Sequence, residues 1–303
     1  MTQNAQPIAK LDDVVEIKTG ESLYAKAFRR LLKNYLTMVM LFILLLLVVF
    51  ALAGGLIESA LGVSYTKTDP MNAFLPIGSA GHPLGTDDLG RDVLARLAYG
   101  GQVSLGIAFA TALLSLTIGV SLGIISAFYG GWVDDFLVWV ITTLNSIPGL
   151  TLYVIVSAVL SPGPLTLILA LGFLGWTGTM RIVRGETLSL REQEFVVSAR
   201  AVGASDFYIM FNHIFPNLIS VVVITLAIDI GSLILAEATL SFLGVGIQPP
   251  IPTWGNMLSF ARQYLTRGPH LIIFPGILIS VTVLCLYVIG DGIRDAFDPK
   301  LSK

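Results

Sequence analysis

The chain has 303 residues, of which 54% are hydrophobic and only 13% carry a charge. This is more apolar surface than one soluble core would bury, so the composition predicts a protein embedded in membrane lipid. The formal net charge of -2 provides no basic field for a polyanion, so no nucleic-acid partner is predicted, and the lone Cys285 excludes an intrachain disulfide.

The first apolar run covers residues 35–57 and follows a basic N-terminal arm, residues 1–34. A helix of roughly 20 apolar residues crosses about 30 Å of hydrocarbon. Residues 51–53 read ALA and could be a signal-peptidase site, but the run is longer and begins later than the apolar part of a secretory signal. We therefore predict an uncleaved transmembrane helix over residues 35–57.

Five further apolar stretches predict an all-α membrane protein with six transmembrane helices. They cover residues 103–128, 133–160, 165–183, 218–245 and 271–290. Two long segments rich in proline and glycine, 58–100 and 246–270, are expected on the outer face, and residues 291–303 form a tail. The other long connection, residues 184–217, lies within a five-helix core of residues 101–290, and we call it the connecting segment.

The basic residues are distributed unevenly between the two sides of this topology. With a cytoplasmic N-terminus, thirteen of the 18 lysines and arginines fall in or beside the arm, the connecting segment and the tail, and five fall on the outer side. An excess of lysine and arginine marks the cytoplasmic side of such proteins. The sequence therefore predicts a multi-pass inner-membrane protein with both termini in the cytoplasm.

Small residues recur every four positions along the second predicted span, at Ser115, Gly119, Gly123 and Ala127. Small side chains at this spacing allow helix backbones to approach closely in lipid. The pattern favours a tight helix contact within the chain over a contact between two chains.

The connecting segment contains the signals of two short helices. Ser189 and Glu192 have the spacing of a capping box, which predicts a helix start there, and Gly203 can adopt the left-handed conformation that ends a helix. The apolar residues between them fall on one face: Phe195, Ala199 and Val202.

The second short helix is predicted to begin at a cap formed by Ser205 or Asp206 and to reach Pro216, where the next span begins. An amphipathic helix of this kind either lies on the membrane surface or docks into a cytosolic protein. The residue pattern alone leaves both interpretations open.

Two acidic residues lie inside the fifth predicted span, Asp229 and Glu237. A spacing of eight residues separates their directions by about 80°, so both face broadly the same side of the helix. Acidic side chains are costly in lipid and normally face a cavity or a partner. We predict that they line a pore, with a buried pairing to a neighbouring helix or to a second chain as the alternative.

On the first outer segment, Asp87, Asp88, Arg91 and Asp92 lie between glycines. Asp87 or Asp88 as a helix cap, with a local aspartate–arginine ion pair, is favoured over a metal cluster. The three histidines are far apart in sequence, so no metal site is predicted.

Several separated motifs can be read in the sequence. Residues 197–205 read VSARAVGAS and residues 213–217 read HIFPN. This pattern resembles the EAA loop of the dipeptide/oligopeptide/nickel permeases of ABC importers, with Val197 and Ser198 in place of its Glu and first Ala. Three more motifs occur in the family's order: HPLGTDDLGRD over residues 82–92, LSFLGVG over 240–246 and GDGIRD over 290–295. The chain is most similar to the second of the two permeases, which begins with a short arm, a first span and a long outer loop.

This resemblance implies a six-helix, type I ABC importer permease that forms half of a translocation pathway. Its partners would be a homologous permease in a heterodimer, two cytosolic ATPase subunits, an extracytoplasmic solute-binding protein and membrane lipid. Residues 189–211 would contain the ATPase-coupling helix. The residues assigned to coupling are Ser189, Glu192, Phe195, Ala199, Val202, Gly203, Ala204, Asp206 and Pro216.

The chain itself is expected to have no catalytic residue and no cofactor. None of its lysines lies in a phosphate-binding Gly-x-x-x-x-Gly-Lys-Ser/Thr motif, so ATP and magnesium would be bound by the partner subunits. The family likeness favours peptides as substrates, with nickel complexes or oligosaccharides as the alternative. A proton-coupled secondary transporter is disfavoured because the sequence shows no internal repeat.

Overall fold

The computed structural model describes residues 23–160 and 163–297. Residues 1–22 of the predicted arm and 298–303 of the predicted tail lie outside them. The described chain forms α-helices joined by turns and two loops. These helices are α1 (Leu23–Lys33), α2 (Tyr35–Leu52), α3 (Gly54–Leu61), α4 (Val93–Tyr129), α5 (Gly131–Asn145), α6 (Gly149–Val159), α7 (Pro164–Leu190), α8 (Glu194–Ala201), α9 (Asp206–Ile209), α10 (Phe215–Phe242), α11 (Trp254–Ala261) and α12 (His270–Phe297).

Within the described ranges, five helical stretches are long and apolar enough to cross a membrane: α2, α4, α7, the run Asp206–Phe242 that contains α10, and α12. The third predicted span, residues 133–160, is not one straight helix. It is divided into α5 and α6, which are bent by 80° relative to each other. The break falls at Pro148, which cannot donate a backbone hydrogen bond and disfavours helical geometry in the residue before it.

Two other predicted boundaries are also corrected. The span predicted over residues 35–57 ends as α2 at Leu52, and α3 begins at Gly54, where an added Cβ would lie 3.2 Å from the side chains of Tyr99 and Gln102. The span predicted to start at residue 103 starts as α4 at Val93. The hydropathy pattern missed this first part of α4 because it contains polar side chains that bond to the outer loop, such as Arg96, which donates to the Tyr65 carbonyl over 3.0 Å.

The predicted small-residue seam is an internal contact between α4 and α7. Ser115, Gly119, Gly123 and Ala127 are all buried. A Cβ on Gly119 would lie 2.7 Å from Thr179 Cβ, and one on Gly123 would lie 2.8 Å from Val183 Cγ1, so the glycines let the two backbones approach. The predicted intrachain helix contact is confirmed. On other faces of the bundle, α10 packs against α4 and α12, and α2 lies against the same two helices.

The loops over residues 62–92 and 243–269 gather at one end of the helices, which we call the loop side. Here Arg91 Nε lies 2.7 Å from Asp87 Oδ2, so the predicted local ion pair is confirmed. The predicted cap is wrong by a few residues, because Asp92 caps α4 by accepting a 2.7 Å bond from the Ala95 amide. The connecting segment lies at the opposite end, which we call the segment side.

Candidate coupling segment and membrane acids

The connecting segment does not begin where the capping box predicted. Ser189 is in the last turn of α7, and the Arg191 amide that follows it still donates to the Thr187 carbonyl over 3.0 Å. A capping box needs a serine outside the helix with free amides after it, and here those amides are already bonded along α7. Glu192 is exposed and accepts a 2.9 Å bond from Arg191 Nε, and α8 begins at Glu194.

Two other local predictions for the segment, the helix stop at Gly203 and the cap at Ser205, are confirmed. Gly203 has a φ of +85° just after α8, the left-handed conformation that stops a helix without steric cost only at glycine. Ser205 caps α9 by accepting a 3.3 Å bond from the Tyr208 amide. A π-helical turn, Met210–Ile214, then joins α9 to α10, and Pro216 lies in the first turn of α10.

The face of α8 that packs against the chain is a different one from the apolar face predicted to meet the membrane surface or a cytosolic protein. Val196, Ile209 and Ile214 are buried in one apolar cluster with residues of α4 and α7. Phe195 and Val202 are 40% and 85% exposed, so the apolar face predicted for α8 is turned largely away from the chain. The helical pattern did not identify Val196 because two apolar faces lie side by side on this short helix.

The outward side of the segment carries a set of exposed apolar residues, which we call the apolar patch. Its members are Phe195, Val197, Val202, Phe207, Tyr208 and Phe211. Phe207 and Phe211 are stacked, with ring centroids 5.9 Å apart. Several large apolar side chains exposed on one short segment are typical of a contact with another protein or with the membrane.

Two arginines tie the segment to the end of α4. Arg191 Nη1 donates to the Ala127 carbonyl over 2.6 Å, and the Arg200 guanidinium lies 5.4 Å from the centre of the Phe128 ring. Cations are favourable at the C-terminal end of a helix, where carbonyls are left unpaired. These two residues were not predicted, because nothing in the sequence shows which helix end lies beside the segment.

A charged pair joins α5 to α7 on the same side. Arg184 donates to Asp134 through Nε and Nη2 over 2.6 and 2.5 Å, and Ser126 of α4 donates to the same carboxylate. Asp134 therefore holds the ends of three helices together. The sequence places an acid and a base at the ends of two predicted spans, which is a weak signal for an ion pair. It does not show that these two residues pair with each other.

Asp229 lies half-buried on α10 and faces α7. Its Oδ2 accepts a 3.1 Å bond from Thr179 Oγ1 of α7. The Tyr153 hydroxyl sits over Gly175, where an added Cβ would lie 3.7 Å away. Asp229 therefore lies among polar side chains from the helices around it, inside the apolar part of the protein.

Glu237 occupies a different environment, with no exposed surface. It accepts a 3.2 Å bond from Ser104 Oγ of α4 and a 2.7 Å bond from Ser241 Oγ of its own helix. Glu237 therefore faces no open surface in this structure, and its pore-lining role stays a prediction. A buried contact with a neighbouring helix, the alternative that the sequence left open, is present in the bond from Ser104.

Comparison with known proteins agrees with this architecture. Residues 119–303 match the family described as binding-protein-dependent transport system inner membrane component. Residues 22–76 match the N-terminal transmembrane domain of oligopeptide transport permease C.

Relatives cover nearly the whole chain. The dipeptide transport system permease protein DppC of Alkalihalophilus pseudofirmus is 37% identical over 283 residues, 93% of this chain and 92% of the relative. The oligopeptide transport system permease protein OppC of Bacillus subtilis is 37% identical over 286 residues, 94% and 92% of the two chains. The glutathione transport system permease protein GsiD of Pectobacterium atrosepticum is 35% identical over 288 residues, 95% of each. The chain therefore belongs to the family of inner membrane components of binding-protein-dependent transport systems.

Proposed function

We propose that this chain forms half of the translocation pathway of an ATP-driven peptide importer, in a heterodimer with a homologous permease. A solute-binding protein delivers the peptide on the loop side, and two cytosolic ATPase subunits supply the energy on the segment side. The names of the relatives, which refer to dipeptide, oligopeptide and glutathione transport, support a peptide substrate. The positive-inside distribution of lysine and arginine supports an orientation with both termini in the cytoplasm.

The observation that carries the coupling role is the apolar patch on residues 189–211. The patch has a fixed geometry, because Val196 and Ile209 beneath it are buried and Arg191 and Arg200 hold it against α4. Exposed aromatic side chains on a firmly held helix suit docking into a groove of a partner protein. ATPase closure would then move α7, α10 and the end of α4 together, which is a mechanical route to alternating access.

Of the residues first assigned to coupling, Phe195, Val202 and the turn at Gly203 and Ala204 belong to this docking surface in the proposal. Asp206 and Pro216 shape the helix ends that follow it. Ala199 packs partly against the apolar cluster beneath α8. Ser189 and Glu192 are left with no capping role.

Asp229 is the candidate pathway residue within the membrane. A carboxylate that has one hydroxyl donor, from Thr179, retains capacity to accept further hydrogen bonds. In the proposal it meets the ammonium group of a peptide as the pathway opens. Transport by an Asp229→Asn variant should show a raised KM for peptides with a free amino terminus and a smaller change for amino-terminally acetylated peptides. An equal change for both would remove Asp229 from the pathway.

The docking proposal is tested by co-purifying the chain with its co-expressed partner subunits in detergent. The double variant Val202→Glu and Phe207→Glu changes side chains that are 85% and 73% exposed, so the chain should fold and pair with the second permease but lose the ATPase. Met71→Glu, at a side chain that is 93% exposed on the loop side, is the matched control and should retain the ATPase.

Two results would contradict the proposal. If the double variant retains the ATPase as the control does, the apolar patch is not the docking surface. If no ATPase co-purifies with the unmutated chain, the importer assignment fails and a secondary transporter becomes the better explanation.

A further inference from the structure

The loop side contains a hydrogen-bonded chain that begins at Trp254, the first residue of α11, and ends at Glu237. The Trp254 amide donates to Ser104 Oγ over 3.2 Å, and the Ser104 hydroxyl donates onward to Glu237 over 3.2 Å. Ser241 donates to the other oxygen of the carboxylate over 2.7 Å. Because a serine hydroxyl has one proton, Ser104 can serve Trp254 as acceptor and Glu237 as donor at the same time. One buried carboxylate thus connects α4, α10 and α11.

The Trp254 side chain is itself wedged between helices. It has no exposed surface, and its Nε1 donates to the Leu97 carbonyl of α4 over 2.9 Å. A Cβ on Gly101 would lie 2.9 Å from the indole ring, and a Cβ on Gly255 would lie 2.5 Å from Ala238 Cα of α10. The two glycines therefore allow α11 to lie directly against the start of α4 and the end of α10.

The loop before α11 is also tightly bonded. Thr253 and Asn256 form a capping box, with both bonds at 3.0 Å, at the start of α11. Asn256 Nδ2 also donates to the carbonyls of Ile247 and Ile251 over 3.1 and 2.8 Å. Residues 247–261 therefore form one unit, which we call the outer cap. Its position relative to α4 and α10 depends on the bonds that Trp254 donates to Ser104 and Leu97, and on the bond from Ser104 to Glu237.

The two helices that hold the outer cap reach the connecting segment. The helical run Asp206–Phe242 has 37 residues, about 55 Å at 1.5 Å per residue, and it begins inside the segment. The α4 helix also has 37 residues and ends beside Arg191 and Arg200. A displacement of the outer cap is therefore carried by continuous helices to the surface proposed for ATPase docking.

We propose that Glu237 is a positioning residue that locks the outer cap to α4 and α10, so that docking of the loaded solute-binding protein on the loop side is transmitted to the connecting segment. The inference rests on the proposed function. Directional hydrogen bonds fix the register of α11 on both helices, whereas apolar contacts alone permit sliding. An apolar side chain at position 237 would also leave the Ser104 and Ser241 hydroxyls buried without their acceptor.

The test uses the complete complex in lipid: both permeases, both ATPase subunits and the peptide-loaded binding protein. Basal ATPase activity and its stimulation by the binding protein are measured separately, because a merely structural defect lowers both. Glu237→Ala should keep the basal rate and lose about fivefold or more of the stimulation. Amide hydrogen exchange of residues 254–261 should become faster in the same variant.

Two further variants and a control sharpen the result. Ser104→Ala breaks the same chain from the side of α4 and should reproduce the loss, even if Glu237→Ala assembles poorly. Glu237→Gln keeps one acceptor oxygen but presents an amide to hydroxyls that already donate, so it should restore part of the stimulation. Glu58→Gln is the control, because Glu58 also accepts two bonds, from the Tyr65 amide and the Tyr99 hydroxyl, but lies on α3 away from α10.

Each outcome is decisive. If the unmutated complex shows no stimulation by the binding protein, the proposed function fails and the transmission role fails with it. If the unmutated complex is stimulated and both Glu237→Ala and Ser104→Ala retain full stimulation, only the role of Glu237 is overturned. A loss of the same size in Glu58→Gln would also overturn it, since the effect would then be general to the outer loops.

Discussion

The largest polar and aromatic side chains between α4, α10 and α11 on the loop side find partners within the chain, whereas the connecting segment leaves several aromatic and aliphatic side chains uncovered. Trp254 and Glu237 have no exposed surface, and Arg91 is paired with Asp87 at 2.7 Å. On the segment side, Phe207 is 73% exposed and Val202 is 85% exposed. The enclosed residues on the loop side are packed within the chain itself. The exposed apolar residues on the segment side form a surface that a partner could cover.

This difference teaches where substitutions should affect folding and where they should affect assembly. Buried groups on the loop side contribute to the stability of the isolated chain, since their removal leaves a cavity or an unpaired polar atom. Exposed groups on the segment side contribute little until a partner covers them. Removing similar side chains at the two ends therefore separates contributions to the stability of the isolated chain from contributions to assembly with a partner.

The largest expected effect is that of Trp254→Ala. Removing this enclosed indole leaves a cavity between α4 and α10 and removes its hydrogen bond to the Leu97 carbonyl, at a cost of about 3–5 kcal/mol in the free energy of unfolding. Thermal unfolding of the purified chain in detergent measures the loss. Trp132→Ala is the matched control, because Trp132 is 79% exposed, and it should change stability by less than about 0.5 kcal/mol. Equal losses in the two variants would contradict the contrast between enclosed and exposed residues.

An intermediate effect is expected for Arg184→Ala on the segment side. The bidentate pair with Asp134 is partly exposed, with 30% of the arginine side chain and 16% of the aspartate side chain accessible, so its loss should cost about 2 kcal/mol. Arg184→Lys should recover about half of this, because an ammonium cannot form the two parallel bonds.

Chemical denaturation of the Arg184 variants tests this value, with Arg181→Ala, an exposed position in the same helix, as the control. A loss near zero for Arg184→Ala would mean that α5 is held by apolar packing alone. The segment side would then have no stabilising polar anchor at α5, and the contrast between the two ends would be wider than proposed.

Local signals in the sequence were enough to predict several parts of this fold. The spacing of Gly119 and Gly123 predicted a close helix contact, and the conformational freedom of glycine predicted the stop at Gly203, because each depends on backbone geometry that a short stretch of sequence determines. The length of the apolar runs predicted the five long helices that could cross a membrane. The break at Pro148 was missed because hydropathy averages over it.

The environment of the two acids could not be predicted in the same way. Asp229 and Glu237 look the same in the sequence, because each is an acid in an apolar run. The partner of Glu237, Ser104, lies 133 residues away in the chain, and Ser104 in turn accepts a bond from Trp254, which follows a long loop. Which acid becomes enclosed depends on where α11 folds back, and that is a long-range property of the packed structure. For the same reason the sequence did not identify Arg191 and Arg200 as contacts of α4.

The smallest expected effect is that of Arg200→Ala, which removes the stacking on Phe128. A cation over an aromatic ring at a surface position is worth about 0.5–1 kcal/mol, so the stability of the chain should fall by no more than this. A double-mutant cycle with Phe128→Leu isolates the contribution of the pair, because leucine keeps apolar bulk at position 128 but removes the ring. A coupling energy near zero would mean that α8 is held to α4 by the burial of Val196 and by the Arg191 bond to Ala127, without a contribution from the Arg200 contact.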